Sequence, residues 1–137
     1  MAILGVDFGL KRIGVAFTRD NSNVAFPGPV LTGTAEELLE QVAREAALHK
    51  AAEIVIGLPK NMDGSHGEMS ARVAAFAEKL GELTSAHIVT WDERLTSVQA
   101  RRRMLSTGPS KKQRRKRIDA LAAQLILQGY LDSKLRK

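Results

Sequence analysis

The chain has 137 residues, 44% of them hydrophobic and 26% charged, and a formal net charge of +6. That length fits one domain with a core of its own. The absence of cysteine excludes disulfides and any Cys-ligated zinc or iron–sulfur site, and suits a reducing cytoplasm. His49, His66 and His87 are scattered, which argues against a histidine zinc site. The N-terminus lacks the pattern of a signal peptide, and no run nears the ~18 apolar residues of a membrane span, so a cytoplasmic protein without membrane association is expected.

Three strands are predicted first, at about 2–8, 12–18 and 24–31. Gly9-Leu10-Lys11 is short enough to join the first two as a hairpin. Asn21-Ser22-Asn23 marks the next turn, and Pro27 and Pro29 send the third strand to an edge or bulge. Thr34-Ala-Glu-Glu37 is a capping box that opens a helix through Leu38, Leu39, Val42, Ala46 and Ala47 to about Lys50. Glu53-Ile-Val-Ile-Gly57 reads as a central strand. The helix before it implies a crossover and a mixed sheet.

The turn-rich "LPKNMDGSHGEMS" follows. Ser65-x-x-Glu68 is a second capping box, predicting a helix through Val73, Phe76, Ala77 and Leu80 that stops near Gly81. His87–Trp91 is the fifth strand. Thr96-x-x-Gln99 predicts a short helix ending at Gly108-Pro109. After a basic stretch, Ile118, Leu121, Ala122, Leu125 and Ile126 predict a last helix to about Leu131. Nothing separates domains, so residues 1–137 are expected to form one. The order, three antiparallel strands and then α-β units, predicts an α/β fold with a mixed five-stranded sheet and by analogy resembles the ribonuclease H-like fold.

Carboxylates stand where this pattern asks for something else. Asp7 interrupts the apolar run of the first strand, and an unpaired buried carboxylate is very costly. Asp92-Glu93 ends the fifth strand, and ligands of α/β sheets tend to bind beyond the carboxyl ends of strands. Adjacent strand residues point to opposite faces, so one of the two is expected to face Asp7. Asp119 shares a helix face with Ala122, Ala123 and Ile126, an apolar stripe. Three converging acids repel and raise one another's pKa, and a divalent cation removes the conflict. Mg²⁺ or Mn²⁺ suits such oxygen ligands, and two ions can serve both the attacking and the leaving oxygen of a phosphodiester. Taken singly, each acid has a bland role: a turn hydrogen bond for Asp7, a helix-dipole partner for Asp119, a polar strand end for Asp92 and Glu93.

The positive charge is local. Residues 101–117 hold nine basic side chains and no acid, leaving 12 basic against 15 acidic groups, a net of −3, elsewhere. These are Arg101, Arg102, Arg103, Lys111, Lys112, Arg114, Arg115, Lys116 and Arg117. Such a patch suits a nucleic-acid backbone, against the alternative of a solvated charge run. Lys11, Arg12, Lys60 and Arg94 are further candidates for phosphate contact. His66 is a candidate proton-transfer group or an idle loop residue.

The segments "GVDFGLKRIGVAF", "IVIGLPKNMDGSHGEMSARVAAFAEKL", "WDERLTSVQARRRML" and "KRIDALAAQLILQGYL" together resemble the YqgF/RuvX family. These are nuclease-like proteins related to Holliday-junction resolvases and described as pre-16S ribosomal RNA nucleases. The resemblance spans nearly the whole chain. It implies a ribonuclease H-like fold and a divalent-metal-dependent nuclease. Asp7, Glu93 and Asp119 are then the catalytic acids holding two Mg²⁺ or Mn²⁺ ions, with Asp92 the second choice in its motif. It also implies action on ribosomal RNA precursor, with branched DNA as the alternative, and leaves monomer and homodimer open. Two rivals have distinct signatures. "DFGLKRIGVA" also resembles the first phosphate loop of the actin and hexokinase superfamily, which predicts tight ATP binding. A non-catalytic RNA-binding assembly factor predicts binding without cleavage under any metal.

Overall fold

The computed structural model describes residues 1–20, 22–58, 67–92 and 111–135, with 111–120 as backbone. The strands are β1 (Ala2–Asp7), β2 (Arg12–Phe17), β3 (Phe26–Thr32), β4 (Ala51–Leu58) and β5 (His87–Asp92). The helices are α1 (Ala35–Leu48), α2 (Glu68–Gly81) and α3 (Lys111–Leu135). The five strands form one sheet in the order β3-β2-β1-β4-β5. β1 pairs antiparallel with β2 and β2 with β3, whereas β1–β4 and β4–β5 are parallel. This is the expected mixed sheet of a ribonuclease H-like α/β fold.

Side-chain alternation builds a core on each face. Leu4, Val6, Ile13, Val15, Ile54 and Ile56 face Leu38, Val42 and Ala46 of α1 and Val73, Phe76 and Leu80 of α2. Ala16 and Val55 face Ala122, Ala123, Ile126 and Leu127 of α3. β4 lies between two strands and under helices on both faces. Ile54, Val55 and Ile56 are therefore all fully buried, which is why its sequence is continuously apolar.

β3 is an edge strand, as its prolines require, and its pairing with β2 is irregular between Gly14 and Ala16. The α1 capping box is complete: Glu37 N–H donates to Thr34 Oγ1 (3.2 Å) and Thr34 N–H donates to Glu37 Oε1 (2.9 Å). Those bonds hold the Glu37 carboxyl below its ordinary pKa.

Two expectations change. The Ser65-x-x-Glu68 box is not the start of α2. The N-cap is Gly67, which makes no side-chain cap, so Glu68 is the first helical residue and not the third. Glycine is an acceptable N-cap, and Glu68 there favours the helix dipole and pairs with Arg72 at 3.0 Å. The last helix begins not after the basic stretch but within it, at Lys111. Lys, Gln and Arg are good helix formers, so helix propensity runs on through the charged residues. The Thr96–Gln99 box and its short helix lie outside the described residues, as do Lys60, His66, Glu93, Arg94, Arg101, Arg102 and Arg103.

Candidate metal and nucleic-acid site

Asp7 is the last residue of β1 and is only 7% exposed. Its position follows from the register. Val6 belongs to the core under α1 and α2, so alternation puts Asp7 on the α3 face. Gly5, two residues earlier, lies directly under α3: a Cβ there would stand 2.7 Å from Leu127 Cβ and 3.2 Å from the Ala123 carbonyl. Phe8 turns back to the other face, its ring 5.0 Å from that of Phe76. A side chain at Gly9 would collide with the Arg12 carbonyl, so the chain can turn tightly into β2 immediately after the acid.

α3 runs antiparallel to β1. Its Ala123 and Leu127 lie over Gly5, while Tyr130 and Lys134 reach Glu53, whose register partner is Ile3 near the start of β1. Moving toward the helix N-terminus is therefore moving toward Asp7. Asp119 lies six residues before the midpoint of the Gly5 contact, about 9 Å along the axis at ~1.5 Å per residue. Asp7 lies two residues beyond Gly5, about 7 Å along the strand at ~3.3 Å per residue. Helix position 119 and Asp7 thus arrive at the same end of the sheet, with the basic run 111–117 beyond them. Asp119 is one turn before Ala122 and Ala123, which are 2% and 0% exposed, so the small-residue stripe is real.

Asp92 closes β5 at that same carboxyl end, paired in register with Leu58. Trp91, just before it, packs on the α3 side. Among the described residues no group of three or more His, Cys, Asp or Glu side chains is placed to hold a metal. Two of the three predicted acids, Glu93 and Asp119, lie outside the described side chains. Lys11 is exposed in the β1–β2 turn and Arg12 is half-buried at the start of β2, a few residues after Asp7 in the chain. Lys111, Lys112, Arg114, Arg115, Lys116 and Arg117 occupy the opening turns of α3.

The devices that aim α3 had no motif in the sequence. Gln128 Oε1 accepts from Ala25 N–H (2.9 Å), and Gln124 Nε2 donates to the Ala25 carbonyl (3.1 Å), fixing the helix lengthwise against the segment before β3. At the far end, Tyr130 O–H donates to Glu53 Oε2 (2.8 Å) and Lys134 Nζ donates to Glu53 Oε1 (2.9 Å). The Trp91 ring meets Tyr130 edge-on at 5.7 Å, with its Nε1 buried and making no hydrogen bond among the described residues. These hydrogen-bonded pairs are separated by 77 to 103 residues in sequence, which hides them from any local pattern.

Burial alone would push the Glu53 carboxyl up, but the bonds from Lys134 and Tyr130 outweigh it and hold it below its ordinary 4.5. A lowered folded-state pKa gives stability that is present above 4.5 and lost as pH falls through the folded value. Thermal unfolding followed below pH 5 is expected to show this loss, and Glu53→Gln to flatten it. An unchanged acid slope in the variant would mean the clamp adds no linked stability.

A profile of the RuvX family, described as Holliday junction resolvase, matches residues 1–133. The chain is 41% identical over 135 residues to a protein of Carboxydothermus hydrogenoformans named "Putative pre-16S rRNA nuclease", covering 98% of each. A protein of the same name from Agrobacterium fabrum is 43% identical, with 96% of this chain and 83% of that protein covered. Among solved structures, Thermus thermophilus RuvC in complex with a Holliday junction substrate superposes with a TM-score of 0.61 at 12% identity. The match covers 100% of this chain and 97% of that one, a likeness of fold. No described helix is long and apolar enough to cross a membrane.

Proposed function

The chain belongs to the RuvX family, and from that premise we propose that it is a metal-dependent nuclease acting on structured nucleic acid. Its favoured substrate is pre-16S ribosomal RNA, the substrate in its relatives' name, with cutting at the 5′ end as our own reading. The observation that carries the reading is that Asp7, a nearly buried acid, and the N-terminal half of α3 lie at one end of the sheet, the carboxyl end of the parallel strands.

Asp7, Glu93 and Asp119 would hold Mg²⁺ or Mn²⁺, two ions in all. Their donors are all oxygen, which suits these cations, and nothing in the set suits a softer metal. When bound, the ions would supply positive charge that offsets acid repulsion and Lewis acidity toward the phosphate and water. Glu93 is preferred to Asp92 because Asp92 follows Trp91, and alternation turns it away from the α3 face on which Asp7 stands. Gly5 and the alanine stripe let α3 lie close enough to bring position 119 to Asp7.

The basic turns of α3 dock the phosphate backbone. Like charges at helical spacing repel, and cations at a helix N-terminus oppose the dipole. The first turn of α3 contains no acid to offset them. Bound phosphate would relieve both costs, which supports a ligand-binding role over a merely solvated one.

The test is a cleavage panel of end-labelled single-stranded RNA, duplex RNA, an RNA spanning the 5′ end of 16S, single-stranded DNA and a four-way DNA junction. Each is incubated with Mg²⁺, Mn²⁺ or chelator. Metal-dependent cutting of the ribosomal RNA is expected. Preferred cutting of the junction would favour the resolvase reading that the family's description suggests. Binding without cutting under every metal would replace the nuclease with an assembly factor.

A further inference from the structure

On the face of the sheet opposite α3, a cavity of about 210 Å³ opens between the β1–β2 turn, α1 and α2. Phe8, Leu10, Leu38 and Phe76 give it an apolar, partly aromatic lining, and Arg72 and Lys79 stand at its exposed border. Leu10 is 50% exposed there, although it is a large hydrophobic side chain. The cavity falls below the ~300 Å³ at which sites for drug-sized ligands begin, so it suits a single ring system with the rest of its ligand outside. An apolar ring site bordered by two cations is complementary to a base with its phosphate.

Its place in the chain narrows the occupant further. Phe8 and Gly9 line the cavity and directly follow Asp7, with consecutive Cα atoms about 3.8 Å apart. A strand whose phosphodiester lies at Asp7 can turn its neighbouring nucleotide over the carboxyl end of β1 into this space. A stacked, paired base must first leave its duplex, at the cost of unpairing and unstacking, whereas an unpaired base makes that turn more cheaply. We infer that the cavity receives one unpaired nucleotide of the substrate, its base against the half-buried Phe8 ring that covers Phe76 and its phosphate on Lys79, beside Arg72, which Glu68 already pairs. The protein thereby selects nucleic acid with an unpaired base beside the scissile bond. This inference rests on the nuclease reading above and adds a substrate feature to it.

The test is a fluorescence-anisotropy titration in EDTA with two labelled RNA hairpins, one fully paired and one carrying a single unpaired adenosine in its stem. Wild type is expected to bind the second about tenfold more tightly, the scale of one base stacking on an aromatic ring. Ala75→Trp fills the cavity from the exposed side of α2, away from the core, and is expected to remove the preference while leaving the paired hairpin's affinity unchanged. Lys79→Glu is expected to weaken the unpaired probe several-fold more than the paired one. No preference in wild type, or a preference that survives Ala75→Trp, overturns the inference. So does an acidic amphipathic peptide whose binding Ala75→Trp abolishes while both RNA affinities stay unchanged. The titration needs no cleavage, so a failure in the cleavage panel and a failure here are read separately.

Discussion

Asp7→Asn is expected to lose at least about a hundredfold in metal-dependent cleavage, while nucleic-acid binding changes by less than about threefold. Even partners one shell removed from a metal are worth about 10–100-fold, so loss of a direct ligand should cost no less. Asn keeps the size of Asp and one carbonyl oxygen but removes the charge that would hold a divalent cation at the end of β1. Binding should persist because phosphate affinity comes from the basic segment and not from the acids. The measurements are single-turnover cleavage in Mg²⁺ and in Mn²⁺, beside an anisotropy titration in chelator. A variant that cleaves like wild type would remove Asp7 from the site. A variant that loses binding and cleavage together, with a lowered melting temperature, would show that Asp7 holds the fold instead.

Gly5→Ala is expected to destabilise the protein by roughly 1–3 kcal/mol, the usual cost of forcing a methyl into a packed core. For a chain of this size that corresponds to a fall of about 4–12 °C in melting temperature. The added methyl would stand 2.7 Å from Leu127 Cβ, an atom held by the helix backbone, so α3 itself must move. Moving α3 shifts helix position 119 relative to Asp7, and catalytic groups misplaced by about 1 Å can cost on the order of a hundredfold in rate. Cleavage should therefore fall well beyond the fraction unfolded, at a temperature where both proteins are folded. A variant as stable and as active as wild type would refute the close approach of α3 to β1.

Some of this architecture was legible locally. The hairpin, the α1 capping box, the proline-marked edge strand and the doubly buried β4 each follow from residues within a few positions of one another. Local patterns also misplaced two helix starts. At Gly67 a glycine cap competed successfully with an apparent Ser65 box, and at Lys111 helix propensity ran through the charged stretch that looked like a connector. The acids divide in the same way. Asp7 stood out because a carboxylate in an apolar strand breaks an expected pattern, and Asp119 because it heads an alanine stripe.

By itself, then, the sequence determined the elements, the three acids worth suspecting and the concentration of positive charge between residues 101 and 117. Periodicity, capping and charge are properties of neighbouring residues, and a linear pattern records them directly. Only the tertiary structure decided that α3 runs antiparallel to β1, so that Asp7, helix position 119 and the basic turns share one end of the sheet. That direction is set by Gln124 and Gln128 on Ala25, by Tyr130 and Lys134 on Glu53, and by the missing side chain at Gly5. The cavity between Phe8 and Phe76 arises in the same way, from side chains that meet only when α2 packs on the sheet. Such contacts join residues far apart in the chain, and their free energy depends on packing geometry that no local pattern encodes.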